Sequence, residues 1–242
     1  MRTENQPYDF AIVLGATGGM GSGISRALGK KVRKIYLVGA HLEKLSALKN
    51  ELSQIKNLQI YTARIDFEDT DSIIQTAIDS LNIQKNVGIL VNCVGTYLSR
   101  EFAGSSYESI TQHFLIDVIR PMQIISNLIC CLEPNSLIIN IGSSLSHHPK
   151  SKRVLSSSVK HAVRGFSLSL AEELVDRNIR VCLINPRSVA TSLLKKNTSD
   201  EKYQKAMPVE DMIGTVVMIV DCNPRTLFSE IDVGSSQGFL GQ

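Results

Sequence analysis

The stretch Ala11–Leu28, AIVLGATGGMGSGISRAL, runs from an apolar segment through a glycine-rich turn into a helical pattern with no linker between them. An unbroken run of Ala, Ile, Val and Leu suits a strand covered on both faces, as parallel sheets require. In the turn, Gly15 permits the sharp reversal, Gly19 lets backbone approach a pyrophosphate, and Gly21 allows the helix to pack closely. Thr17 and Met20 lie in the same turn. Because the pattern follows the first strand of a βα series, it predicts a dinucleotide site at the helix N-terminus.

Similar apolar runs recur beyond the turn: KIYLVG, LQIYTARI, VGILVN, SLIINIG, RVCLINP and TLFSEIDV. With AIVLG they make seven expected strands, separated by segments of helical periodicity long enough for right-handed crossovers. The fold class is therefore α/β: a Rossmann-type, doubly wound, seven-stranded parallel sheet with helices on both faces. No internal repeat or Pro/Gly linker divides residues 1–242, so one domain is expected. Thr191–Met207 is a polar stretch after the sixth strand, placed to serve as a lid or as an ordinary surface excursion.

A net charge of +3 with no dense Lys/Arg block gives no reason to expect nucleic acid or a membrane surface as partner. No apolar run approaches the length of a membrane span, and MRTENQPYDF lacks the pattern of a secretory signal. Five cysteines without C-x-x-C spacing read as reduced core thiols and place the chain in the cytoplasm. No metal site is expected; the expected partner is a small-molecule substrate.

The spacing G-x-x-x-G-x-G, with the motifs that follow, resembles the short-chain dehydrogenase/reductase family over nearly the whole chain. ARIDFED resembles the family segment after the third strand, which implies that Asp66 and Phe67 lie beside the adenine. LVNCVG resembles the family's Asn-Asn-Ala-Gly element, with Asn92 and Gly95 kept. RVCLINPRSVAT resembles the segment after the sixth strand, implying that Pro186, Val189 and Thr191 face the nicotinamide. At the end of the second strand, the position that carries an acidic residue in NAD-binding relatives is Gly39, followed by Ala40. His41 and Lys44 could face a 2′-phosphate, so the cofactor reading is NADP or NAD with a lean to NADP.

The resemblance implies a catalytic Asn, Ser, Tyr and Lys, the last two spaced Y-x-x-x-K so that both lie on one helix face. In VLSSSVKHAVRG, Lys160 fits the lysine, and the tyrosine position is Ser156. Ser143 fits the serine and Asp117 falls at the asparagine. No Tyr occurs between Tyr107 and Tyr203, so no shift of register restores the motif. A serine hydroxyl is shorter and far less acidic than a phenol, so the usual proton relay cannot operate unchanged. Lys160 keeps the family's implied second role of holding the nicotinamide ribose, and an Asp117–Lys160 ion pair is expected because an unpaired buried carboxylate is costly.

Other groups near the expected pocket are His147 and His148 after Ser143, Tyr97 after Gly95, and Arg187. The leading functional expectation is an NAD(P)-binding oxidoreductase acting on a small-molecule carbonyl or alcohol, with specialised biosynthesis as one setting and a non-standard proton donor at Ser156. Its alternatives are a non-redox lyase, isomerase or cyclase and a catalytically silent partner subunit. Ser105 with Glu108 reads as a capping box for the helix through Asp117. That helix and the Lys160 helix form the family's usual subunit contact, which implies a homodimer or homotetramer.

Overall fold

A computed structural model describes residues 8–68, 75, 79, 83 and 86–236. Seven strands form one parallel sheet in the order β3-β2-β1-β4-β5-β6-β7. They are β1 (Phe10–Leu14), β2 (Lys34–Gly39), β3 (Gln59–Arg64), β4 (Val87–Asn92), β5 (Leu132–Ile141), β6 (Arg180–Pro186) and β7 (Glu230–Val233). Parallel pairing holds at every step, from Ala11↔Ile35 through Val91↔Ile139 to Ile184↔Ile231. The order reverses between β1 and β4, which leaves a crevice beyond the carboxyl ends of those strands. β5 begins earlier than its apolar run and β7 later, because pairing with the neighbouring strand decides where a strand ends.

Helices α1 (Gly19–Gly29), α2 (Leu42–Leu52) and α8 (Val209–Asp221) cover one face. The other is covered by α4 (Arg120–Leu128) and α5 (Val154–Leu174). Alternation along β1 feeds both cores: Ala11 and Val13 enter one cluster, and Phe10, Ile12 and Leu14 the other. β1, β4 and β6 are buried at every position, whereas β3 and β7 at the sheet edges are partly exposed. Each fully buried Leu or Ile contributes about 1.5–3 kcal/mol relative to exposure. The expected helical crossover between β3 and β4 lies outside the described residues, as does most of the N-terminal stretch MRTENQPYDF.

α3 (Tyr107–Phe114) runs into a π turn over Leu115–Ile119 and then into α4, so the helix carrying Asp117 is continuous but irregular. Its N-cap is Ser106, whose Oγ accepts a hydrogen bond from the Ser109 amide at 3.2 Å, rather than the expected Ser105. Ser105 Oγ is buried without a hydrogen-bond partner. Contrary to the sequence expectation, the helical stretch Tyr107–Cys131 is long and apolar enough to cross a membrane, a length reached by joining four helical pieces. Its buried Asp117, Ile124, Ile125 and Leu128 belong to the interior of the fold, so it serves as a core helix here. After β6, the polar stretch folds into two short helices, α6 (Ser192–Lys196) and α7 (Asp200–Gln204), and returns to the body through a parallel bridge between Val189 and Met207.

Candidate functional site

The glycine turn has the geometry the sequence dictates. Gly15 has φ +75°, a conformation that side chains rarely adopt. A Cβ at Gly21 would stand 2.2 Å from the Gly15 carbonyl oxygen, so only glycine lets α1 start this close to β1. The N-cap of α1 is Gly18, which offers no side-chain hydrogen bond, and no acidic residue occupies the first turn. The helix therefore presents uncapped amides and the positive end of its dipole. A Cβ at Gly19 would lie 3.0 Å from Thr191 Cβ, so the turn packs against the segment after β6 at a contact that a side chain would crowd. Thr191 itself caps α6, its Oγ1 accepting from the Leu194 amide at 3.3 Å.

At the end of β2, a Cβ on Gly39 would come within 2.9 Å of Thr17 Oγ1, so Thr17 occupies the room an acidic side chain would need. His41 is exposed at the start of α2 and makes no capping hydrogen bond. Arg64, at the end of β3, donates to the Ala40 carbonyl at 3.2 Å and lies 3.4 Å from Asp66. It brings a guanidinium where the sequence reading saw only His41 and Lys44. Asp66 also accepts from the Glu68 amide at 3.2 Å, and Phe67 is buried beside it.

Around Ser156, the side chains form one connected group. Asp117, fully buried, lies 3.4 Å from Lys160 Nζ, which matches the expected ion pair. Asp117 Oδ1 accepts from the Thr96 amide at 2.9 Å and from Thr96 Oγ1 at 2.8 Å. Thr96 Oγ1 also lies 2.7 Å from His113 Nδ1, and His113 Nε2 lies 3.5 Å from Ser156 Oγ. Ser156 Oγ donates to the Leu98 carbonyl at 2.9 Å. Lys160 passes over Gly95, where a Cβ would come within 3.0 Å of Nζ. Burial, ahead of the positive charges of Lys160 and Arg100, holds the His113 imidazole below its ordinary pKa, while the Asp117 charge acts the other way. His113 is thus neutral at pH 7.

The other expected donors are placed differently. His147 turns toward β7, with Nε2 2.8 Å from Glu230 and 3.1 Å from Asn185 Nδ2, because Glu230 supplies a carboxylate that a loop histidine can pair with. That arrangement removes His147 from the Ser156 group. The Glu230 carboxyl is itself held below the usual range, chiefly by hydrogen bonds from Arg164. His148 is exposed, and Arg187 lies against Gly234. Tyr97 donates to the Asn197 carbonyl at 3.3 Å, and Arg153 hydrogen-bonds its hydroxyl while stacking 4.0 Å from its ring centroid. Tyr97 therefore ties the loop after β4 to the segment between α6 and α7. Ser143 Oγ accepts from the Leu145 amide at 3.2 Å, and its own amide donates to Asn185 at 3.3 Å.

Sequence reasoning missed His113, Thr96, Arg153 and Arg64. His113 had a usable signal, since it precedes Asp117 by four residues on a helix. It also missed Asn140 and Asn185, which with the expected Asn92 lie at the ends of three adjacent strands. Asn92 donates to Asn140 at 3.3 Å and accepts from the Val94 amide at 3.1 Å, while Asn185 receives Ser143 and Ser146. These side chains satisfy the backbone where the strands open into loops. Burial pushes the Cys93 thiol up to about 12, so this neighbour of the turn is no nucleophile.

The sheet order, the switch point between β1 and β4 and the glycine turn define a Rossmann-type doubly wound protein. The chain belongs to the short chain dehydrogenase family, whose profile matches residues 9–202. It is 29% identical over 220 residues to the very-long-chain 3-oxoacyl-CoA reductase of Mus musculus, covering 86% of this chain and 68% of that protein. Identity to the 17-beta-hydroxysteroid dehydrogenase type 3 of Homo sapiens is 27% over 191 residues, covering 77% of this chain and 61% of that one. Among solved structures, the closed form of a serine dehydrogenase complexed with NADP+ superposes with a TM-score of 0.76 at 25% identity, covering 93% of this chain and 94% of that one.

Proposed function

We propose that this chain is an NADP(H)-dependent oxidoreductase that interconverts a carbonyl and an alcohol on a small molecule, with Ser156 standing where the family has its catalytic tyrosine. The observation that carries the reading is the buried Asp117–Lys160 pair beside Gly95, facing the same crevice as the uncapped amides of α1. The uncapped N-terminus of α1, with glycines at 18, 19 and 21 and no acidic residue in its first turn, fits a pyrophosphate. Bound there, the dinucleotide supplies hydride exchange. Asp66 and Phe67 would flank the adenine, Lys160 the nicotinamide ribose, and Asn92, Gly95, Pro186 and Val189 the ring. Arg64 and His41 would meet a 2′-phosphate, and the crowding of Gly39 by Thr17 removes the carboxylate that would favour NAD.

The names of the relatives suggest two substrate classes, 3-oxoacyl thioesters and steroid ketones. The proposal extends to a homodimer or homotetramer, with Tyr107, Ile119 and Met122 exposed along α3 and α4, and to a cytoplasmic setting that suits five free cysteines. The test is calorimetric titration with NADPH, NADH and their oxidised forms, followed by NADPH oxidation with a 3-oxoacyl-CoA ester and a 17-ketosteroid. Tight binding of NADPH with turnover supports the reading. Binding without any absorbance change in NADPH turns it toward the non-redox alternative, and no binding up to millimolar concentrations overturns it in favour of a silent partner.

A further inference from the structure

The Ser156 group has an internal polarity that the positions of its heavy atoms fix. Asp117 can only accept, so Thr96 spends its single hydroxyl proton on Asp117 Oδ1. Thr96 Oγ1 must then accept from His113, which places the imidazole proton on Nδ1. His113 Nε2 is left with a bare lone pair directed at Ser156 Oγ, 3.5 Å away. The Ser156 proton rests on the Leu98 carbonyl and can turn from there to Nε2. Ser156 and Leu98 also line a small cleft between the loop after β4 and the start of α5, with room for about one water-sized atom beside the Ser156 hydroxyl.

We infer that Ser156 and His113 act together in place of the absent tyrosine, Ser156 exchanging a proton with the substrate oxygen and His113 exchanging it with Ser156. This rests on the oxidoreductase reading above. In alcohol oxidation the substrate C–H bond breaks and its hydride passes to the oxidised nicotinamide dinucleotide. The substrate O–H proton moves to Ser156 Oγ as the Ser156 proton moves to His113 Nε2, leaving a carbonyl and an imidazolium. Asp117, two hydrogen bonds behind the new charge, stabilises it through Thr96. In carbonyl reduction each transfer reverses. Ser156 is the group that touches substrate, and His113 works through it. The charges facing His113 are Asp117 from the π turn, Lys160 from α5 and Arg100 from the loop after β4. Burial outweighs the opposing Asp117 charge and, with Lys160 and Arg100, favours the neutral, proton-accepting form.

The test is a pH titration of the full chain carrying 15N-histidine, with NADP+ present, for the wild type, Ser156→Ala and Thr96→Val. The expected result is His113 protonated on Nδ1, with a midpoint that moves when Ser156 is removed and a tautomer that mixes when Thr96 is removed. A His113 protonated on Nε2, or one indifferent to Ser156→Ala, overturns the inference whether or not any substrate turns over. With a 3-oxoacyl-CoA ester as probe, His113→Asn should lower kcat at least tenfold at pH 7, flatten the pH profile and leave the KM for NADPH within twofold. Combining it with Ser156→Ala should cost no more than either change alone, as for residues acting as a unit. A kcat within twofold of wild type and an unchanged pH profile in His113→Asn also overturn it. Failure of NADPH to bind would instead remove the oxidoreductase reading and leave the tautomer result standing.

Discussion

Replacing Lys160 by Met leaves the Asp117 carboxylate without a countercharge in a site where its side chain has no exposure to solvent. Two unit charges 3.4 Å apart attract by about 5 kcal/mol at an effective dielectric constant of about 20. Removing one partner of a buried pair generally costs about 3–5 kcal/mol, because the survivor stays desolvated. The two donors from Thr96 remain, so the loss should fall within that range rather than above it. For a chain of this size it corresponds to a drop in Tm of about 6–20 °C. Urea unfolding at pH 7, with Lys160→Met, Asp117→Asn and the double variant, measures it. The double variant should be at least about 2 kcal/mol more stable than the sum of the single losses predicts. A loss below about 1 kcal/mol in Lys160→Met, or strict additivity, would refute the claim that the pair is a desolvated unit.

Gly21→Ala puts a Cβ on the Gly15 carbonyl and should abolish tight dinucleotide binding in calorimetry while circular dichroism still reports a folded chain. His113 titrates below its ordinary pKa, so the unfolded chain takes up that proton first as pH falls through about 6.5. The contribution of neutral His113 to stability is therefore complete above that pH and is lost as pH falls below it, so urea midpoints should fall less steeply in His113→Asn as pH is lowered from 8. Ser106→Ala should cost about 1 kcal/mol for the lost cap, whereas Ser105→Ala should be neutral or stabilising because its buried hydroxyl has no partner; thermal melts of the two separate Ser106 from Ser105 as the cap.

The sheet was legible because its signals are local. Seven apolar runs and one glycine turn are short, contiguous signals, and sheet pairing moved strand ends most where β5 and β7 begin. The Asp117–Lys160 pair was legible because burial forces a choice of partner. The contact of His147 was not legible because its partner, Glu230, comes from a strand about eighty residues later, and sequence proximity to Ser143 says nothing about which way a loop side chain turns. Ser105 and Ser106 differ by one position, and only backbone geometry selects between two adjacent serines. Thr96 carried no signal of its own, since a threonine after a glycine is unremarkable until a carboxylate is seen beside it.

The π turn at Leu115–Ile119 gives the helix two phases. One extra residue in a turn rotates everything beyond it by about 100° relative to an unbroken α-helix. The faces of α3 and α4 are consequently set independently: His113 looks toward Ser156, while Ile124, Ile125 and Leu128 look into the core. A helix with a single phase could satisfy one of these demands and would turn the other set toward solvent. Deleting the exposed Ile119 would therefore act over a distance, rotating the core face of α4 without removing a side chain of the Ser156 group.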